Sequence, residues 1–181
     1  MSAPTAKSGL VFDTTCLNHF TLADRLDVLG DLRAGLDSFI PEPVRMEIRD
    51  GAATRPELAQ ILEADWLQAV PLDTLDRIKR FTVWAGRIGA GSRHVGEASV
   101  LAVAEELGIT ALIDDRDATR TARTYGVDVH GTIWLLASAC RDGKLTVAAA
   151  GNLVEGLSAT GMRLPCGGGE FHRFAARHGL L

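Results

Sequence analysis

No run of apolar residues in this chain approaches the ~20 needed to cross a bilayer, so no membrane-spanning helix is expected. The opening stretch MSAPTAKSGLVF has neither a long apolar region nor a cleavage-site pattern, which argues against a signal peptide. Cysteine is scarce. Cys16, Cys140 and Cys166 are odd in number, far apart, and form no Cys-x-x-Cys pair. A disulfide framework and a zinc set are therefore not expected, and a reduced, cytoplasmic protein is the simplest reading. Excess positive charge is also missing. The 181 residues carry a formal net charge of −4, which argues against a generic nucleic-acid coat protein but not against a nuclease with one basic groove and an acidic centre. Neither an internal repeat nor a low-complexity segment interrupts the chain.

What is present suits a single folded unit. At 46% hydrophobic residues the chain can bury a sizeable core without cross-links. Short apolar runs read as strands: GLVF before Asp13, LDSFIP, WLQAVPL, ITALID and VDVHG. Between them lie helical patterns. LADRLDVLGDLRAGL repeats leucine at helical spacing, PEPVRMEIRDG carries prolines in its first turn, RPELAQILEAD is amphipathic, and HVGEASVLAVAEELG ends in a capping glycine. RDATRTARTYG, TIWLLASACRDG, TVAAAGNLVEGLSATG and GEFHRFAARHGLL continue the series, and MRLP is read as a further edge strand. Strands alternating with helices imply a mainly parallel sheet covered on both faces, a three-layer α/β/α arrangement. The expected division is a tail over 1–8, a main domain over 9–145 and a helical extension over 146–181 packing on the domain or a partner. The glycine-rich run before the last helix reads either as a hinge or as closure of the core.

In open parallel sheets the working crevice lies outside the carboxyl ends of the strands. Two of the strands read here end in acid: LVFD at Asp13, and ALIDD at Asp114 and Asp115. Acids about a hundred positions apart can thus meet on one edge. Glu97 lies three before Val100 and four before Leu101, so it shares their core-facing stripe, while Glu105 and Glu106 fall on what reads as a solvated face. Glu47, beside Ile48 and three after Val44, borders a buried face. A carboxylate on an apolar stripe is costly unless paired, hydrogen-bonded or metal-bound. Several converging carboxylates call for a hard divalent cation, Mg²⁺ or Mn²⁺, which can promote in-line attack on a phosphodiester. Each acid also has a purely structural role open to it. Asp13 and one of Asp114 and Asp115 are placed to cap the helices that follow, and Glu97 sits favourably at a helix N-terminus.

The segments LVFDTTCLNHF, IPEPVRMEI and VGEASVLAVAEELGITALIDDRDATRTARTYGVDVHGT resemble PIN-domain nucleases over roughly residues 9–145. The variant most resembled has Gly-Glu-Ala opening the third acidic helix and Asp-Asp-Arg after the next strand. The resemblance implies a four-carboxylate Mg²⁺/Mn²⁺ site of Asp13, Glu47, Glu97 and Asp115, with RNA as substrate. It places Thr15 where a hydroxyl orients the first carboxylate. Asp114 falls at an outer position where many relatives carry Asn, and Asp117 matches a common additional acid. Many small bacterial relatives are VapC-like toxins, paired with an antitoxin protein and often homodimeric.

Between Arg77 and His94 the chain holds Arg77, Lys79, Arg80, Arg87 and Arg93 with no acid among them, and Phe81 and Trp84 are interleaved. Such a segment suits a single strand through phosphate contacts and stacking. It also reads as an amphipathic helix with solvated charges and core aromatics. Arg116, Arg120 and Arg123 share one helix face and read either as phosphate contacts or as a solvated stripe. His19, His94 and His130 are more plausible as structural groups than as general bases. The function expected is therefore metal-dependent endoribonuclease. Two alternatives stay open: an inactive PIN-like module that binds RNA or protein, and a Mg²⁺-dependent phosphatase acting on small molecules.

Overall fold

The computed structural model describes residues 8–89 and 94–181. Five strands form one all-parallel sheet: β1 (Gly9–Phe12), β2 (Asp37–Pro41), β3 (Gln68–Val70), β4 (Thr110–Leu112) and β5 (Val129–His130), in the order β3-β2-β1-β4-β5. All four residues of β1 are buried, as expected of the central strand of a sheet covered on both faces. The chain first builds outward from β1 through β2 to β3, then crosses back to place β4 on the other side of β1. The order therefore reverses between β1 and β4, and this switch point is where such sheets open a crevice. Phe12 pairs with Leu112, and the Asp13 N–H donates to the Leu112 carbonyl at 3.2 Å. The carboxylate-bearing residues that follow both strands are thereby brought to one edge.

Ten α-helices are described: α1 (Thr14–Leu22), α2 (Leu26–Leu32), α3 (Glu42–Ala52), α4 (Ala59–Glu63), α5 (Leu75–Arg87), α6 (Val95–Leu107), α7 (Arg116–Thr124), α8 (Thr132–Arg141), α9 (Val147–Ala159) and α10 (Phe171–Arg177). The architecture is a three-layer α/β/α sandwich. The pivotal helix is α6, which packs on β1, β2 and β4 as well as on α3 and α5. Its run from Ala98 to Ala104 is buried on every side, so it is apolar all round rather than striped. Among the described residues no helix is long and apolar enough to cross a membrane.

Three local expectations are corrected. The leucine-rich stretch from Leu22 does not form one helix. Asp24 adopts φ +56°, the Asp24 N–H returns to the Thr21 carbonyl and the Arg25 N–H to Phe20, closing α1 with a Schellman motif before α2 begins. The segment RPELAQILEAD is a short 3₁₀ turn (Pro56–Leu58) followed by the five-residue α4. Met162–Pro165 forms no strand. Gly161 (φ +93°) ends α9, and the Met162 N–H reaches back to the Leu157 carbonyl, so Met162 buries its side chain as the apolar residue after a helix cap.

The C-terminal run Cys166–Gly169 docks directly on α9. A Cβ on Gly151 would lie 2.8 Å from the Gly168 carbonyl oxygen, so the two backbones touch where no side chain fits. The Gly168 N–H donates to Glu155 Oε1 at 2.7 Å. Phe171 and Ala175 of α10 are then fully buried. Gly168, with Gly151 of α9, serves close backbone packing.

Candidate functional site

Asp13 leaves the end of β1 as the N-cap of α1, with its Oδ2 accepting the Thr15 N–H at 3.2 Å. The capping and functional readings of this residue thus coexist. It is only 6% exposed. Burial, and secondarily the nearby Glu97 charge, push its carboxyl up to about 7, against the pull of its Thr15 and Thr14 hydrogen bonds. An ionised Asp13 is therefore costly unless something positive sits beside it.

Glu47 reaches the same place from α3. Its Oε2 accepts the Thr14 hydroxyl at 2.7 Å. The floor between them is Gly96, in the first turn of α6. A methyl there would lie 3.0 Å from Glu47 Oε2 and 3.3 Å from Asp13 Oδ1, so the two carboxylates converge over Gly96 and a side chain there would press on both. Glu97 follows Gly96, close enough for its charge to act on Asp13, and its Oε1 meets His94 Nδ1 at 3.2 Å. The expected trio Asp13, Glu47 and Glu97 is brought together.

The adjacent aspartates after β4 divide. Asp115 is exposed and caps α7, its Oδ1 accepting the Asp117 and Ala118 N–H groups at 3.0 and 2.8 Å. Asp114 turns inward. It accepts the Thr132 N–H at 2.8 Å and the Thr132 hydroxyl at 2.7 Å, and burial raises its pKa against those bonds. Buried Cys16 connects this carboxylate with the first. Its thiol pKa is raised by burial and further by the charges of Asp114 and Asp13. Asp117 is fully in solvent, paired with Arg120 at 3.3 Å, both side chains more than three-quarters exposed.

All donors here are oxygens, which suits Mg²⁺ or Mn²⁺ and not zinc. The gap over Gly96 and the charge excess at Asp13 fit a cation at that point. No group of three or more His, Cys, Asp or Glu side chains among the described residues stands ready around a single ion. Two protein carboxylates face the gap, and the remaining positions of a hexacoordinate ion suit water.

Sequence reasoning missed the groups that hold these acids. Thr14 and Thr132 each hold one carboxylate and Gly96 leaves room for two, whereas His94, read from the sequence as a structural group, restrains Glu97. The only advance signal was position: a hydroxyl or glycine directly next to an acid, or at the head of a helix. Glu105 is half-buried and Glu106 exposed, but both are paired with arginines of α5, which corrects the reading of a merely solvated face. Arg77 Nε lies 3.0 Å from Glu106 Oε2, Arg80 3.3 Å from Glu105, and Arg87 3.6 Å from Glu105, where buried Trp84 also donates its indole N–H. Arg87 further stacks between the rings of Trp84 and Tyr125, at 4.6 and 3.9 Å from their centroids. Three of the five basic residues in this segment are thus committed to holding α5 against α6. Lys79 is exposed, and Arg93 lies outside the described residues.

A parallel sheet with acids gathered at its switch point defines an α/β protein of nuclease-type fold. Residues 9–167 match the family model described as a PIN domain, and the chain belongs to that family. PIN domains are generally nucleases that use divalent metal ions. A comparison with curated proteins finds no match.

Proposed function

We propose that this protein is a Mg²⁺- or Mn²⁺-dependent endoribonuclease that hydrolyses RNA phosphodiester bonds. The observation that carries this reading is the convergence of Asp13 and Glu47 over Gly96, beside Glu97, at the switch point of the sheet. Asp13 and Glu47 would hold the ion, with Glu97 beside them. Of the two aspartates after β4, Asp114 is the better fourth member, because Thr132 holds its half-buried carboxylate inward beside Cys16, whereas the Asp115 side chain is exposed at the start of α7. A divalent ion bound there supplies a Lewis acid and lowers the pKa of a coordinated water.

The chain's own residues do the rest. Thr14 fixes Glu47, and the first N–H groups of α1 fix Asp13, so both carboxylates are held before any ligand arrives. His94 restrains Glu97. Thr132 holds Asp114 with two hydrogen bonds from the head of α8. A role as the toxin of a toxin–antitoxin pair, and a homodimeric state, belong to the same proposal and rest on the family likeness alone.

The test is cleavage of a labelled single-stranded RNA with Mg²⁺ or Mn²⁺, with EDTA, and with Asp13→Asn. Cleavage that needs the metal and disappears in the variant supports the reading. Retained RNA binding without cleavage in either metal supports the inactive-module alternative, and phosphate release from nucleoside monophosphates without RNA cleavage supports the phosphatase.

A further inference from the structure

We propose that the groove between α7, α8 and the C-terminal segment 163–180 binds single-stranded RNA running away from the acidic site, with phosphates on its arginines and bases against its aromatic rings. The inference rests on the ribonuclease reading and deepens it. The groove encloses about 620 Å³ and has Asp114 in its wall, so it opens at the candidate fourth acid. Apart from Asp114, its charged lining is basic: Arg116, Arg120 and Arg123 from α7, and Arg163 from the segment after α9. In a chain of net charge −4 this is a local reversal of sign, as a phosphate-binding track requires.

Two flat platforms line the same groove. His130 stacks on Trp134 with centroids 4.1 Å apart and planes 9° apart. Opposite in the chain, Phe174 stacks on His178, also at 4.1 Å. Both Trp134 and Phe174 remain partly exposed, so each pair offers a face to an incoming base. Burial lowers the pKa of His130 in spite of the neighbouring Asp128. Arginine beside flat rings is the recurrent chemistry of single-strand grooves, where stacking tolerates any base. An acidic peptide would use the arginines and leave the rings unused. The glycine run docked on α9 explains how the far wall is held, because it fixes the segment that carries Arg163, Phe174 and His178.

The test uses the full chain in EDTA, so that no cleavage interferes, with fluorescent dodecauridylate followed by anisotropy over a range of salt. Trp134→Ala is expected to weaken binding about 5- to 150-fold, the loss of one stacked base. Arg163→Gln, at an exposed position, is expected to lower the slope of log affinity against log salt by about 0.7. Unchanged affinity and slope in both variants overturns the groove. So does equal affinity for a twelve-base-pair RNA duplex, whose bases cannot stack on the rings. Polyglutamate binding that depends on Arg163 but not on Trp134, with no binding of dodecauridylate, overturns it in favour of an acidic protein partner. The two proposals fail separately. If the wild type cuts RNA and the variants bind as it does, the groove alone is lost. If groove binding holds and no metal supports cleavage, the ribonuclease reading alone is lost.

Discussion

Replacing Asp13 by Asn should stabilise the metal-free protein, and should do so more at pH 8 than at pH 5. The folded protein holds this carboxyl at about 7 against 3.8 for the free group, chiefly by burial. A group whose pKa is raised on folding supports the native state fully below its unfolded value and loses that support as pH rises through its folded value. At about 1.36 kcal/mol per unit, burying Asp13 costs the native state about 1.5 kcal/mol at pH 5, where the group must take up a proton on folding, and about 4 kcal/mol at pH 8, where it is ionised in place. Asn has nearly the same shape, can still accept the Thr15 N–H, and carries no charge at either pH. Local packing changes affect both pH values alike and cancel in the difference. The advantage of Asp13→Asn should therefore grow by about 2–3 kcal/mol between pH 5 and pH 8, or roughly 5–10 °C in Tm for a chain of this length. Thermal unfolding of both proteins in EDTA at the two pH values measures it. Addition of Mg²⁺ at pH 8 should then raise the wild-type Tm, by about 2.7 kcal/mol of stability at a hundred times Kd, and leave Asp13→Asn unmoved. A Tm difference that is flat with pH would refute the claim that this buried carboxylate is held at an electrostatic cost that a cation relieves.

Other perturbations separate the roles of neighbouring residues. Gly96→Ala puts a methyl 3.0 Å from Glu47 Oε2, and should abolish the Mg²⁺-dependent rise in Tm and RNA cleavage while circular dichroism shows an intact fold. Thr14→Val removes the 2.7 Å bond to Glu47, and should raise the Mg²⁺ concentration needed for half-maximal cleavage, with at most about 1 kcal/mol lost in urea unfolding. Asp115→Ala should cost about 1 kcal/mol through loss of the α7 cap but retain cleavage, whereas Asp114→Asn should lose cleavage at near-native stability. Gly168→Ala forces a methyl into the backbone of α9 and should cost about 1–3 kcal/mol, readable as a lower urea midpoint.

Much of the fold could be read from the alternation of short apolar runs with helical patterns, because β1 and the middle of α6 are fully buried and their apolar runs are continuous. What periodicity could not show is where a helix stops for reasons of backbone geometry. Asp24 takes the left-handed conformation without being glycine, so nothing in the leucine pattern announces the break between α1 and α2. The basic segment shows a related blindness. Arg77, Arg80 and Arg87 looked uncompensated because no acid lies among them, yet Glu105 and Glu106 lie across the α5–α6 interface. Charge counted along the chain does not measure charge in space. The arginines of α7 gained a context instead, since a segment some forty residues later supplies the other wall of their groove.

The aspartate pair after β4 shows why a site can be located from sequence more easily than its ligands can be chosen. Asp114 and Asp115 leave the end of β4 in different directions, Asp114 inward to Thr132 and Asp115 outward at the start of α7. Each also has a competing use. A residue directly before a helix has extended backbone and an oxygen aimed at the first free N–H groups, which is the position of Asp115 ahead of Arg116. That geometry is set by where α7 begins, and one residue of difference in that boundary would exchange the two roles. The deciding contact for Asp114 lies further along the chain, at the N–H and hydroxyl of Thr132, which orient its carboxylate from the head of α8. The same helix carries Trp134 two residues later into the arginine-lined groove. One helix start thus both orients the candidate fourth acid and presents the stacking surface beside it, which couples position of the strand to position of the acid. A Thr132→Val variant tests this coupling. It should impair cleavage while leaving dodecauridylate affinity in EDTA unchanged, and equal loss of both would mean that α8 has simply shifted.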